Sequence, residues 1–464
     1  MVFSSPIFLF VFLPFVWFIH AMLPEKARRY FLLFASLGFY MYGEGLFVLL
    51  MLATILTAHC SVLLIKKFER HASKIAVVGS LLTISVLLIF KYANFFTSQI
   101  ALLLAEFSIN IAPTNFHLPL GISFFTFQAV SCIIDFYRNP GKKPLSFVNT
   151  ALYISFFPQL VAGPIVRFDN FIPQLKYRSV HYAAFFYGLK RFVYGFAKKV
   201  LISNTIAPLA DKIYSMDTAQ MGMSVALAAP FIFGVQLYFD FSGYSDMAIG
   251  LARMFGIRIP ENFRYPFATT SMINFWRRWH ISLSTWFRDY LYIPLGGNRK
   301  GEIAAVRNIW IVFLVCGLWH GASWSFVFFG AVMALLITIE RIFKKYISYR
   351  NTFLARLYAV FIVLPAFFST FRVNTVSQFF SMLHAAFVPN CSGVGILQLF
   401  ELKTAAAVAA GIVFGFPVYE LVRARFGKSN VFRCLEAVLL IVLFVASLSS
   451  SSMIFSDPFI YFRF

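Results

Sequence analysis

Long runs of apolar residues without a charged side chain recur along the whole chain. At about 20 residues per membrane crossing, such runs are typical of transmembrane helices. Their number predicts about ten to twelve helices that cross the membrane or re-enter it. The clear runs lie at 6–23, 45–65, 75–90, 113–134, 308–339 and 437–456, and shorter or less clear ones lie near 30–43, 144–166, 181–205, 222–239, 357–371 and 404–419.

Two of the shorter runs contain residues that interrupt helices. Residues 30–43 contain Gly38 and stop at Gly43-Glu44-Gly45, and residues 144–166 contain Pro158, Gly163 and Pro164. Broken helices at membrane depth are tolerated only where protein or a water-filled cavity surrounds them. We therefore predict an all-α polytopic membrane protein with an irregular core around a cavity.

The composition supports this class and excludes others. The chain is 60% hydrophobic and only 12% charged, whereas a soluble domain carries about 25% charged residues. This excludes an ordinary soluble enzyme, a disordered protein and a secreted disulfide scaffold. Because no linker of polar or small residues interrupts the pattern, we expect one membrane domain over 1–464, with its core motifs at about 113–340.

The net charge of +22 is spread between the apolar runs, so it indicates orientation and anionic lipid rather than nucleic acid. The basic segments Lys26–Arg29, Lys66–Lys74 and Arg138–Lys143 are typical of cytoplasmic loops, and 277–307 holds the densest positive charge. No positive segment and no cleavage site accompany the first apolar run. We expect it to be a retained span with the N-terminus outside the cytoplasm.

The cysteines show no spacing typical of a metal site. Because several lie inside apolar runs, we expect them to act as small apolar side chains, and we predict neither a structural disulfide nor a bound metal. The five are Cys60, Cys132, Cys316, Cys391 and Cys434.

His320 lies within 308–339, the longest uncharged run. A titratable side chain in such a run usually faces a cavity and is functional. A neutral imidazole is suited to act as the general base for a hydroxyl group. If 308–339 is one helix, Cys316, Ser323 and Trp324 share a face with His320. The alternative is a structural histidine that is bonded to a neighbouring helix.

His280 lies beside an apolar stripe with helical spacing. Such a stripe with arginines predicts an amphipathic helix at the membrane interface, ending near Pro294. Ser284 lies one turn after His280 on the same side. The alternative is a helix on the surface without chemistry. The stripe consists of Trp279, Leu283, Trp286 and Tyr290.

Asp240 and Asp246 form a third group, inside an apolar segment. Carboxylates in such a segment need cationic or hydrogen-bonding partners. Structural ion pairing is the interpretation that we favour for them. Asn262 begins a rigid turn that leads to the amphipathic helix. The cations that we considered are Arg253, Arg258, Arg264 and the arginines of 277–307.

Two motifs identify a resemblance. The stretches FWRRWHISLSTWFRDYLYIPLGGNRKG (275–301) and WHGASWSFVFFG (319–330) resemble the membrane-bound O-acyltransferase (MBOAT) superfamily, and within it the AlgI-like polysaccharide O-acetyltransferases. The resemblance covers nearly the whole chain. Further similar stretches lie at 118–138, 156–168, 238–250, 261–267 and 459–464.

The resemblance implies a ring of helices around a funnel that opens to the cytoplasm and narrows to a tunnel. It assigns His320 as the essential tunnel histidine and His280 as the second catalytic histidine. We assign the other residues by their place near these two. The expected donor-binding residues are Arg277, Arg278, Trp279, Ser284 and Asn262, and the expected tunnel-lining residues are Cys316, Trp319, Ser323, Trp324, Asp240 and Asp246.

The function that this implies is acetyl transfer across the bacterial inner membrane for O-acetylation of an exported or cell-envelope polysaccharide. Acetyl-CoA is the expected donor, and a separate periplasmic acetyltransferase is the expected partner. His320 acts either as a general base or through an acyl-imidazole. Alginate is the acceptor by resemblance, and peptidoglycan and cellulose are the competing acceptors. The pattern also permits a DltB-like D-alanyl transferase, and a channel or transporter without chemistry.

Overall fold

The computed structural model shows two compact units, which are residues 1–192 with 247–260, and residues 193–246 with 261–464. The single domain over 1–464 stays a prediction. The regular structure of the described residues is helical, apart from one isolated bridge between Met221 and Val394. The structure describes residues 2–139, 141, 144, 146–175, 181–343, 352–390, 392–452 and 459–460.

Seven helical segments of the described chain are long and apolar enough to cross a membrane, or eight if a pair bent by 61° counts as one span. The prediction of an all-α polytopic membrane protein is therefore confirmed. The count is below ten to twelve because several apolar runs fold into shorter helices. The seven are Glu25–Lys67, Glu69–Ala105, Met223–Met254, Gly301–His320, Trp324–Phe343, Phe353–Arg372 and Asn430–Ser451, and the bent pair is Leu402–Phe414 with Val418–Phe426.

The first unit is built around aromatic rings. Phe39 lies 6.0 Å from Phe8 and 5.6 Å from Phe157, measured between ring centroids. The predicted interruption at Pro158 is confirmed, because one helix ends at Ser155 and a short one starts at Phe157. Its helices are Leu13–Met22, Glu25–Glu44, Val48–Lys67, Ala72–Ala105, Ile122–Arg138, Phe147–Ser155, Phe157–Leu160 and Phe168–Phe171.

The second unit contains both candidate histidines. Two further helices, Tyr182–Ala197 and Met223–Met254, have residues in each unit. The helices that lie wholly in the second unit are Asn204–Ser215, Met272–Trp276, Ile281–Phe287, Gly301–His320, Trp324–Phe343, Phe353–Tyr358, Leu364–Arg372, Val376–Phe387, Leu402–Phe414, Val418–Phe426 and Asn430–Ser452.

The uncharged run 308–339 is divided between two antiparallel helices. The first ends at His320, where Gly321 adopts an extended conformation, and the second begins at Trp324. The two helices approach closely at glycines, because a Cβ atom on Gly317 would overlap the carbonyl oxygen of Phe326. His320 therefore lies at the end of a helix, beside the turn of a hairpin.

The predicted amphipathic helix is also interrupted. A short helix Met272–Trp276 is followed by a turn, and the next helix begins at Ile281. The predicted stripe is nevertheless buried, with at most 8% of any of its four side chains exposed. The predicted end is confirmed, because the helical turns stop at Tyr292 and Gly296 and Gly297 follow with positive φ angles.

Candidate active site

The turn that carries His280 is held by a buried carboxylate. Glu340 is 1% exposed and accepts hydrogen bonds from the backbone N–H groups of Met272 and Ile273 and from the hydroxyl of Tyr358. These N–H groups begin the short helix Met272–Trp276 and have no partner within it. Glu340 thereby fixes the helix that leads into the turn. Glu340 was not among the predicted site residues, because it lies on the helix Trp324–Phe343, far from this turn in the sequence.

His280 occupies the last position of this turn with a left-handed backbone, at φ = 43°. A non-glycine residue adopts this conformation at a free-energy cost and persists there when its surroundings fix it. Asn262 helps to fix this conformation, because its backbone oxygen accepts a hydrogen bond from the N–H of Ile281 at 2.9 Å.

The side chain of Asn262 also determines which nitrogen of His280 carries the proton. Its Oδ1 accepts from the backbone N–H of Ser282 at 3.2 Å and from the Ser282 hydroxyl at 2.8 Å. The same oxygen lies 3.0 Å from His280 Nδ1. An oxygen that accepts from a backbone N–H cannot donate, so Nδ1 must carry the proton. The Nε2 lone pair is then the basic position of the ring.

His280 is fully buried. Burial lowers its pKa to about 3, because a charged imidazolium loses its hydration there. The ring is therefore neutral at physiological pH. Its contacts are largely aromatic, with Phe241 edge-on at 4.6 Å and Trp319 at 6.1 Å between ring centroids.

His320 is 3% exposed and is surrounded by aromatic rings. Phe371 lies at 5.1 Å and Phe329 at 5.7 Å, both edge-on. Trp319 lies 4.8 Å from His320, so the same indole contacts both histidines. The two candidate catalytic residues are thus brought together through Trp319, although one lies in a turn and the other at the end of a helix.

A cavity of about 420 Å³ has Ile281, the residue after His280, in its wall, and neither histidine is among its lining residues. Arg277, Arg288, Ser284 and Cys316 line it, and most of its remaining wall is apolar. Both arginines are exposed, so positive charge lies where the cavity meets its surroundings. Cys316 precedes His320 by about one helical turn, which places part of the wall near the histidine pair. The further lining residues are Ile273, Trp276, Ile281, Leu283, Thr285, Phe287, Tyr292, Ile309, Val312, Phe313 and Ile337.

Three expected donor-binding residues do not line this cavity. Arg278 donates to Asn274 Oδ1 at 2.9 Å and to the carbonyl oxygen of Arg264 at 3.2 Å. Trp279 is 2% exposed and stacks on Phe275 at 5.6 Å. Asn262, as described above, is fully buried and orients His280. These three residues support the turn, whereas Arg277 and Ser284 face the cavity.

The two carboxylates are ion-paired, as predicted, and their partners are lysines, which were not among the cations named above. Asp240 lies 2.6 Å from Lys199, and Asp246 lies 2.7 Å from Lys198. The acidic residues are on the helix Met223–Met254, and the lysines are on a π-helical turn at Lys198–Ser203.

The single helical face predicted for Cys316, His320, Ser323 and Trp324 is wrong, because the chain turns at Gly321. Trp324 is 62% exposed, and the Ser323 hydroxyl bonds the Ser325 hydroxyl at 2.8 Å. The described residues contain no cluster of three or more His, Cys, Asp or Glu that could hold a metal ion. Cys60, Cys132, Cys316 and Cys434 are free thiols, and Cys391 lies outside the described residues.

Comparison with known proteins identifies the class. The model of the membrane-bound O-acyltransferase family matches residues 70–398. The chain belongs to this family, and it is an acyltransferase of the multi-pass membrane type.

Three relatives illustrate the range of names in this family. A probable alginate O-acetylase AlgI of Pseudomonas aeruginosa is 37% identical over 409 residues, which is 87% of this chain and 77% of the relative. A protein with the same name in Pseudomonas putida is 34% identical over the full length of both chains. A peptidoglycan O-acetyltransferase of Helicobacter pylori is 34% identical over 74% of this chain and 71% of its own length.

Proposed function

We propose that the protein takes an acetyl group from cytoplasmic acetyl-CoA and passes it across the bacterial inner membrane for O-acetylation of a polysaccharide. The observation that carries this proposal is the pair of buried histidines joined by Trp319, beside an apolar cavity with arginines at its edge. The names of the relatives favour alginate as the acceptor, with peptidoglycan as the alternative.

The cavity supports acetyl-CoA as the donor by its distribution of charge. In this proposal Arg277 and Arg288, which line the cavity, contact the phosphates of the donor, because guanidinium groups bind phosphate through paired hydrogen bonds. Arg288 also pairs with Asp289 at 2.7 Å, a hydrogen bond that raises the pKa of the guanidinium. The apolar wall suits the uncharged arm that ends in the thioester, and Cys316 in that wall lies about one helical turn before His320.

His320 performs the chemical step in this proposal. As a general base it takes the proton of an acceptor hydroxyl while the hydroxyl oxygen bonds to the thioester carbonyl carbon. The C–S bond then breaks, and the thiolate of CoA leaves and takes up a proton. In the covalent alternative an imidazole nitrogen of His320 bonds to the carbonyl carbon, the C–S bond breaks, and the CoA thiolate leaves with the imidazole proton. The acceptor oxygen then bonds to the same carbon, the C–N bond breaks, and the proton of the acceptor hydroxyl returns to the imidazole. His280, neutral and oriented by Asn262, holds the transferring group.

Two partners belong to the proposal. A separate periplasmic acetyltransferase receives the acetyl group and delivers it to the polysaccharide. Anionic lipid contacts the exposed basic residues on the cytoplasmic side, since the chain carries a net charge of +22 and cytoplasmic leaflets attract such segments.

The test uses the purified protein in lipid nanodiscs. We expect release of free CoA from acetyl-CoA, with acetyl found on an added polysaccharide or partner. His320→Gln should lower turnover by roughly 10²–10⁴-fold, because the amide cannot exchange a proton. His384→Gln is the matched control, since His384 is exposed on the helix Val376–Phe387. Normal turnover by His320→Gln would show that the histidine has a structural role only. If the wild type released no CoA, acetyl-CoA would be excluded as the donor.

The donor site has its own test. Arg277→Ala should raise the KM for acetyl-CoA at least severalfold while kcat changes little, because phosphate contacts are made before and during transfer. Arg299→Ala is the control, since Arg299 is an exposed arginine of the same segment that does not line the cavity. An unchanged KM together with lower abundance in the membrane would mean that Arg277 stabilises the turn and does not bind the donor.

A further inference from the structure

The two residues described near the C-terminus, Phe459 and Ile460, are bound inside the second unit by a buried ion pair. Asp240 is 2% exposed and Lys199 is 4% exposed. Oδ1 of Asp240 pairs with Lys199, while Oδ2 accepts the backbone N–H of Ile460 at 2.8 Å. A carboxylate inside an apolar helix is costly unless such partners are present. Asp240 therefore fixes the position of the chain at Ile460.

The neighbouring side chain continues this contact towards the candidate site. Phe459 is 1% exposed and stacks on Tyr244 at 4.9 Å between ring centroids. It also lies edge-on against Phe241 at 5.5 Å. Phe241 in turn contacts the ring of His280 at 4.6 Å. The contacts thus run without interruption from the ion pair to the imidazole.

We propose that Asp240 and Lys199 clamp Phe459–Ile460 against Phe241, and that this clamp holds the ring of His280 in place for acyl transfer. The three residues Asp240, Lys199 and Phe459 are then positioning residues, and Asp240 does not contact the transferring group. The proposal rests on the proposed function for its kinetic consequence, but the clamp itself is a separate structural statement.

The mechanism of positioning follows from how His280 is held. Asn262 fixes one edge of the ring by a hydrogen bond, and Phe241 supports the ring by an edge-on contact. A hydrogen bond alone leaves the ring free to rotate about the bond direction. A catalytic group that is misplaced by about 1 Å loses up to about a hundredfold in rate. Release of Phe459 should therefore lower the rate of transfer without weakening donor binding.

The sharpest variant removes one hydrogen bond. Ile460→Pro deletes the N–H that Asp240 accepts and leaves the ion pair with Lys199 intact. Ile460→Ala shortens the side chain and keeps the N–H, so it is the matched control. We expect Ile460→Pro to lower kcat at least tenfold relative to Ile460→Ala, with the KM for acetyl-CoA unchanged. Phe459→Ala should resemble Ile460→Pro, and Phe459→Leu should recover part of the lost rate. Equal kcat values for Ile460→Pro and Ile460→Ala would overturn the proposal.

A second measurement does not depend on acetyl transfer. A cysteine is placed at position 460 by Ile460→Cys, in a variant whose native cysteines are replaced, and its reaction with a water-soluble maleimide is timed. We expect slow labelling, and labelling at least tenfold faster when Asp240→Ala is added. Asp246→Ala is the control, because its ion pair with Lys198 does not contact Ile460. Equal labelling in the Asp240→Ala and Asp246→Ala variants would overturn the clamp, even if no acetyl transfer were observed.

Discussion

The neutral imidazole of His280 makes the folded protein sensitive to acid. Its pKa is about 3 in the folded chain and about 6.5 in an unfolded one. Between these values the unfolded chain binds a proton that the folded chain does not, so the free energy of unfolding falls as the pH falls. The loss is about 1.4 kcal/mol per pH unit below pH 6.5 and is absent above it.

This is measurable by thermal unfolding in detergent at pH 7.5 and pH 5.5. The wild type should lose more stability on acidification than His280→Asn, whose side chain does not titrate. The difference between the two should be about 1.4 kcal/mol, since one pH unit lies between 6.5 and 5.5. Identical losses in both proteins would show that His280 does not stay neutral in the fold.

Asn262 carries a second prediction at this scale. Asn262→Ala removes the acceptor for His280 Nδ1 and for Ser282, so the proton is no longer fixed on Nδ1. We expect turnover to fall about tenfold to a hundredfold, because the ring then samples unproductive orientations. Asn298→Ala, at an exposed asparagine, should leave turnover near the wild-type value. Turnover by Asn262→Ala that matches this control would contradict the orienting role.

The sequence alone indicates both histidines, because each is a polar residue beside a distinctive apolar pattern. It does not indicate what holds them. Asn262 precedes His280 by 18 residues, and Glu340 and Lys199 come from other helices. Such pairings depend on the tertiary fold and leave no local pattern. The cations found beside Asp240 and Asp246 are Lys199 and Lys198 of another helical segment, and the charge of the partner was predicted but not its identity.

At the scale of elements, the hairpin between Gly301–His320 and Trp324–Phe343 requires glycine where the two helices approach most closely. Gly317→Ala would place a Cβ against the carbonyl oxygen of Phe326, and a backbone atom cannot move aside as a side chain can. We expect a loss of about 1–3 kcal/mol in stability, typical of an overpacked core. Because His320 ends the first helix, turnover should fall as well.

Gly38→Ala is the control for this change. Gly38 also lies within a helix, but a Cβ there would meet no atom within 4 Å. Alanine has the higher helix propensity, so this variant should be neutral or slightly more stable. The midpoint of thermal unfolding in detergent compares the two variants. Equal midpoints of thermal unfolding for Gly317→Ala and Gly38→Ala would mean that the two helices of the hairpin can move apart without loss of stability.

The same hairpin shows why apolar runs alone misplace element boundaries. Residues 308–339 contain no charge, so hydropathy cannot locate the turn at Gly321. Gly-Ala-Ser at 321–323 was a local signal for a turn, and the apolar run around it masked this signal. The stripe from Trp279 to Tyr290 was predicted as one face of an interfacial helix, and neither its burial inside the protein nor the break before Ile281 was predicted. That break depends on Asn262 and Glu340, which are remote in sequence.

At the scale of the whole molecule, the distribution of basic residues predicts the orientation in the membrane. Residues 277–307 should face the cytoplasm. Arg299→Cys, at an exposed position, should react with a membrane-impermeant maleimide in inverted vesicles and not in intact cells whose outer membrane is made permeable. Labelling from the periplasmic side would reverse the topology, and with it the side from which the donor enters.

Composition was sufficient to identify a polytopic helical membrane protein, because so few charged residues cannot cover a soluble globule. It was not sufficient to count the spans. Segments such as Phe147–Ser155 and Phe157–Leu160 are apolar enough for a membrane but too short to cross it. Mean hydropathy reflects how apolar a segment is, and therefore how apolar its surroundings are. A short helix buried in protein and a long helix exposed to lipid have similar mean hydropathy, so this value alone does not give the number of spans.

The indole between the histidines also bears on the electrical integrity of the membrane. Trp319 contacts both rings, and an indole can donate a hydrogen bond through Nε1–H but cannot accept a proton in return. A proton therefore cannot hop from one imidazole to the other through this side chain. In the proposed transfer of an acyl group across the membrane, Trp319 would therefore separate the two imidazoles without itself offering a path for protons between them.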